Sequence, residues 1–174
     1  MSHRREDVNL RLDSRQRAVD CIGGMSHKSD RIAALAKPFE GRNLDARYLG
    51  YFECFNRQRF FEAHEVLEEL WLPQRAGPNG AFYKGLIQLA GAFVHVQNSR
   101  LGPALALFKL AQTNLRRFPA THEGLDLGSV LTLIEHWMRK LVSAGAAGER
   151  CSGNAVEPQL PLPTEQMHER GSAA

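Results

Sequence analysis

From residue 45 to residue 143 apolar residues recur at helical spacing, and the breaks between runs are only a few residues long. Few architectures satisfy both features. A 3.6-residue period gives each helix one apolar stripe, and short turns make successive helices antiparallel neighbours. DARYLGYFECFN, residues 45–56, sets Tyr48, Leu49, Phe52 and Phe55 on one face behind Asp45 as cap. Asn56 to Arg59 breaks that pattern, and a second helix over 60–72 stops before Pro73. Gly77-Pro78-Asn79-Gly80 marks a loop, and a third helix follows over 81–97. Asn98 to Gly102 turns the chain, Pro103 suits the first position of a fourth helix, and Pro119 ends it near 118. Asp126 caps a fifth over 127–143, with Gly145 as its stop. No segment alternates apolar and polar residues between hairpin turns. The pattern predicts an all-α fold: a compact bundle of about five helices, built from two antiparallel helical hairpins, with no sheet.

An internal echo supports the two-hairpin reading. NRQRFFEA at 56–63 and QNSRLGPA at 97–104 occupy equivalent places between helices, 41 residues apart. Hairpins of this kind are tetratricopeptide-like. Two copies are fewer than the three a solenoid needs, so a closed bundle fits better.

The ends differ from the middle. Residues 1–43 hold Gly23-Gly24, Pro38, Gly41 and many charges, and read as a peripheral, partly disordered extension. Residues 44–144 form the bundle domain, and 145–174, with Gly, Ser, Glu and PQLPLP, read as a mobile tail. Met25, after the glycine pair, is a candidate initiator that the mass of the native protein tests. The first 20 residues contain no apolar core of a secretory signal. No apolar run approaches the roughly 20 residues of a membrane span, so a cytoplasmic location is expected. Cys21, Cys54 and Cys151 form no close pair, which argues against disulfides and a CxxC zinc site. Net charge is +3 with scattered bases, too sparse for a nucleic-acid footprint.

FFEAHEVLEELW is the unusual helix. At 100° per residue, Leu70, Ala63, Leu67, Phe60, Trp71 and Phe61 make one apolar arc. His64 and Glu68 fall inside it; Glu62 and Glu69 fall outside, and Glu65 at its edge. A carboxylate on a core-facing stripe needs a partner, and His64 is one turn away. The third helix offers more polar groups. Gln88 and His95 lie two turns apart on a side otherwise made of Ala81, Gly85, Gly91 and Ala92. If that side faces the HEVLE helix, His64, Glu68, Gln88 and His95 converge. Trp71 and Trp137 read as core or interface aromatics, and Trp71, beside the Pro73 loop, also stands where it can line a pocket mouth.

The chemistry implied is limited. His64, Glu68 and His95 are the candidate ligands for a divalent metal, yet HEVLE is not HExxH, and no cofactor is expected. A His–Glu pair on an apolar wall can handle protons. No nucleophile, phosphate loop or GxSxG elbow accompanies it, so the sequence names no reaction.

The paired motifs carry a family resemblance. Phe61-Glu62-Ala63-His64-Glu65, then Glu68 and Trp71, followed by Gly85-Leu86-Ile87-Gln88 and His95, resemble the domain-of-unknown-function 309 family. The likeness covers residues 45 to about 118, with looser agreement to about 143. It implies an all-helical fold and gives weight to His64, Glu65, Glu68, Trp71, Gln88 and His95. It carries no substrate. One departure stands out: Gln58 occupies a turn where a glycine or another turn former is usual in that family. The expected role is an interaction or self-associating module whose polar cluster is structural. The alternative is a metal- or small-ligand-binding bundle, hydrolase-like in one version, using His64, Glu68 and His95.

Overall fold

The computed structural model describes residues 29–147 and 157–164. The chain divides into two units after Leu35. Of the first, residues 29–35 are described, and they are helical. The second holds the domain and is treated by itself below.

Six helices occur among the described residues: α1 (29–36), α2 (Ala46–Asn56), α3 (Phe60–Trp71), α4 (Gly80–Gln97), α5 (Leu101–Leu115) and α6 (Leu127–Ala147). Lys37–Phe39 and Leu72–Gln74 are single 3-10 turns. Two expectations need correction. The helix count is six rather than about five, because the Ile32 to Leu35 patch is helical. That patch is about one turn long, too short for periodicity to register. There is also a sheet: β1 (Thr121–His122) pairs antiparallel with β2 (Leu125–Asp126). Glu123 (φ 48°) and Gly124 (φ 71°) make its two-residue turn. Positive φ at both central residues matches the right-handed strand twist. Strands of two residues cannot display alternation, so the sequence hid them.

Element ends follow local chemistry. Asp45 caps α2, its carboxylate accepting from Arg47 N at 2.8 Å. Asp126 caps α6, accepting from Gly128 N at 2.9 Å. Helix α5 starts at Leu101, two residues before Pro103, because the first-turn amides have no intrahelical acceptor for proline to deprive. Helix α6 runs past Gly145 to Ala147.

Successive helices pack in order: α2 on α3, α3 on α4, α4 on α5, α5 on α6. Phe93 of α4 is the hub. It stacks on Phe60 at 4.9 Å and meets Phe55, Phe108 and Trp137 edge-on at 5.3, 5.1 and 5.1 Å. Five helices thus share one aromatic cluster of the offset and edge-to-face kind. Tyr51 ties α2 to α4 by donating to Leu86 O at 2.9 Å. Between α4 and α5 the approach depends on Gly85, where a methyl group would lie 2.8 Å from Leu115 Cγ.

The echo is structural. Arg59 N donates to Cys54 O and Gln58 N to Phe55 O, both at 2.9 Å. Forty-one residues on, Arg100 N donates to His95 O and Ser99 N to Val96 O, again at 2.9 Å. Each is a Schellman C-cap with a left-handed residue after the helix: Gln58 at φ 61°, Ser99 at φ 56°. The two turns also touch, since Gln97 Nε2 donates to Gln58 O at 3.1 Å.

Residues 157–164, part of the stretch that composition assigns to a tail, have no regular secondary structure but are held in place. Asn56 Nδ2 donates to Leu160 O at 3.0 Å, and Leu160 N donates to Asn56 Oδ1 at 2.8 Å. At the far end, Thr164 N donates to Gly124 O at 2.9 Å. Most of the expected extension over 1–43 and the rest of the tail, with Met25, Cys21 and Cys151, lie outside the described residues. Among the described residues, no helix is long and apolar enough to cross a membrane.

Candidate functional site

Helix α3 places His64, Glu65 and Glu68, and its surroundings differ from a one-stripe helix. Glu65, read as an edge residue, is the buried acid at 7% exposure. Glu68 and His64 are half-buried, while Phe61, assigned to the apolar arc, is 55% exposed. Periodicity reports where apolar residues fall; it does not report which segments cover the other sides of a helix. Each of His64, Glu65 and Glu68 has an interaction partner, as burial of an ionisable group requires.

Across the interface, His64 lies over Gly91 of α4. A methyl group at Gly91 would sit 3.9 Å from His64 Cδ2 and 3.3 Å from Leu107 Cδ1 of α5. The small-residue side of α4 therefore does meet the HEVLE helix near its middle. Gln88, however, directs its amide the other way. Its Oε1 accepts from Asn114 Nδ2 of α5 at 2.8 Å. His95 is half-buried, and its Nδ1 is buried with no hydrogen-bond partner. Trp71 is a loop staple: Nε1 donates to Gly80 O at 2.9 Å, spanning the connection from α3 to α4.

Along this side of α4, Gly91 thus meets His64 of α3, while Gln88 bonds Asn114 of α5. Among the described residues, no three His, Cys, Asp or Glu side chains assemble as a metal-ligand set. His64, Glu68 and His95 do not form one by themselves. Cys54 is buried, and that burial pushes its thiol pKa up, away from thiolate chemistry.

A second polar cluster lies where β1 and β2 meet α4 and α2. Asn79 donates from Nδ2 to Glu123 Oε1, and its Oδ1 accepts from His122 Nε2 at 2.9 Å. The His122 ring lies 4.5 Å from that of Phe118 and 4.8 Å from that of Phe82. Tyr48 OH donates to Glu123 O at 3.2 Å. Burial raises the pKa of both Tyr48 and Tyr83, with the Glu123 charge adding to it. The sequence reading missed this cluster, and its one signal was the Glu123-Gly124 turn.

Comparison with known proteins covers part of the helices just described. Residues 48–107 match the family model described as "Domain of unknown function (DUF309)". The "Uncharacterized protein YpuF" of Bacillus subtilis is 30% identical over 105 residues, 57% of this chain and 59% of that protein. The match therefore spans less than two thirds of the relative's own length. No solved structure matches the chain significantly. All six residues singled out on α3 and α4 fall inside the matched stretch. Residues 48–107 thus match the model of the same family that the paired motifs resemble.

Proposed function

We propose that this chain is a helical interaction module whose polar line between α3, α4 and α5 is structural. The Asn114–Gln88 bond carries the reading. Gln88, a candidate member of a His/Glu cluster or an interhelical amide, bonds an amide of the neighbouring helix. His64 lodged over Gly91 supports the same view. Two consecutive helical hairpins packed in sequence order suit protein contact or self-association. With no membrane-spanning helix among the described residues, the cytoplasm is the proposed location.

Two measurements test this. Metal analysis of the purified full-length protein is expected to give no stoichiometric zinc, manganese or iron. A stoichiometric metal would sink the reading. A double-mutant cycle of Gln88→Leu and Asn114→Leu is expected to show a coupling of about 1 kcal/mol in stability.

One observation favours a second reading, a small-ligand site at His64, Glu68 and His95. It is the buried, unpartnered Nδ1 of His95. A hydrolase-like version of it lacks a nucleophile, because Cys54 is buried with its thiol pKa raised.

A further inference from the structure

Residues 157–164 are held as a ligand is held. The Asn56 amide makes two bonds to one residue, accepting from Leu160 N at 2.8 Å and donating to Leu160 O at 3.0 Å. That closed pair reads backbone alone, like a rung of a β-ladder. Gln58 Nε2 adds a bond to Pro158 O at 3.0 Å, and Gln159 Nε2 returns one to Asn56 O at 3.1 Å. Beyond them, Thr164 N and Oγ1 both donate to Gly124 O, at 2.9 and 3.1 Å. A side chain at Gly124 would overlap Thr164 O, so the segment's backbone runs hard against the β-turn.

Side chains supply selectivity. Pro158, Leu160 and Pro163 are buried, whereas Gln159, Leu162 and Thr164 are exposed. Leu160 is 4% exposed and Leu162 67%, so two chemically identical residues two apart are sorted by the surface beneath them. The three prolines fix φ and lower the entropy lost on docking. The repeat explains why the seat exists. Gln97 and Asn56 are equivalent positions, and Gln97 Nε2 grips the backbone oxygen of the preceding turn at Gln58. Asn56 Nδ2 in the same way grips Leu160 O, so the Leu160 backbone takes at Asn56 the place that the Gln58 backbone takes at Gln97.

We propose that the α2–α3 turn, with Asn56 and Gln58, is a binding site for an extended Pro-x-Leu-Pro-x-Pro segment of a partner protein. Residues 157–164 are its intramolecular occupant. This rests on reading the domain as an interaction module and names the partner's chemistry. Cis occupancy makes the site self-competing, because a tethered segment acts at an effective concentration near millimolar.

The probe is a fluorescein-labelled EPQLPLPT peptide, followed by anisotropy against the full-length chain. Leu160→Asp is expected to evict the tethered segment, so that this variant binds the peptide at least tenfold more tightly than the unsubstituted chain. Adding Asn56→Ala to that variant is expected to weaken binding at least tenfold, and a peptide with Asp in place of its first Leu is expected not to bind. No binding by a Leu160→Asp chain with native helical circular dichroism overturns the proposal. If that variant does not fold, amide exchange in the unsubstituted chain decides. Excess unlabelled EPQLPLPT should speed exchange of the Leu160 amide at least tenfold and leave α4 amides unchanged. A Leu160 amide that the peptide leaves protected means a fixed cap and overturns the site. A bound metal would sink the module reading without touching this result, and failed peptide binding would sink the site alone.

Discussion

Phe93 shows how much one side chain can hold. It touches aromatic rings from α2, α3, α5 and α6. Phe93→Ala removes the centre of that cluster and is expected to cost about 3–5 kcal/mol, seen as a large drop in the denaturant midpoint. A loss under about 1 kcal/mol would mean that the cluster repacks around the gap. Asp45 acts at the same scale. Burial raises its pKa, but the Arg47 side chain and amide outweigh that and hold it below its ordinary 3.8. The stability it adds is therefore present above pH 3.8 and is lost as pH falls through its lower folded value. Asp45→Ala is expected to cost about 1 kcal/mol at neutral pH. That cost should shrink in melts run well below pH 3.8. An unchanged cost there would mean that the cap works without its charge.

At the scale of elements, the left-handed residues after α2 and α4 make a natural pair. Gln58 and Ser99 both carry a conformation that favours glycine, at φ 61° and 56°. Ser99→Gly is expected to raise stability by about 1 kcal/mol. Gln58→Gly gains the same relief but loses the bond to Pro158 O, so its melting temperature should rise less. Equal rises would say that the Gln58 side chain adds nothing. The helices themselves were legible in the sequence because stripes and caps such as Asp45 and Asp126 are local signals. The sheet was not, because two residues per strand leave no period to read. On α3 the sequence identified which acids to watch, yet ranked Glu68 above Glu65. Burial on the far side of a helix depends on segments distant in sequence, and an angular plot contains no such term. Gln88 bonds Asn114 of α5, and which neighbour its side of α4 meets, α3 or α5, depends on packing order, which local sequence does not carry.

For the whole domain, residues 157–164 were the least legible part. Proline-rich, charge-flanked sequence normally signals a solvated tail, and nothing local announces that Asn56, 104 residues earlier, is waiting for Leu160. The echo between NRQRFFEA and QNSRLGPA held the missing clue. Equivalent residues in a repeat want equivalent neighbours, and residues 157–164 supply one to Asn56. Stacking one more hairpin onto the α2–α3 turn, whether by duplication of the segment or from another polypeptide, would have to win Asn56 from residues 157–164 first. On that proposal, docking of a further hairpin at the α2–α3 turn and release of residues 157–164 are the same event.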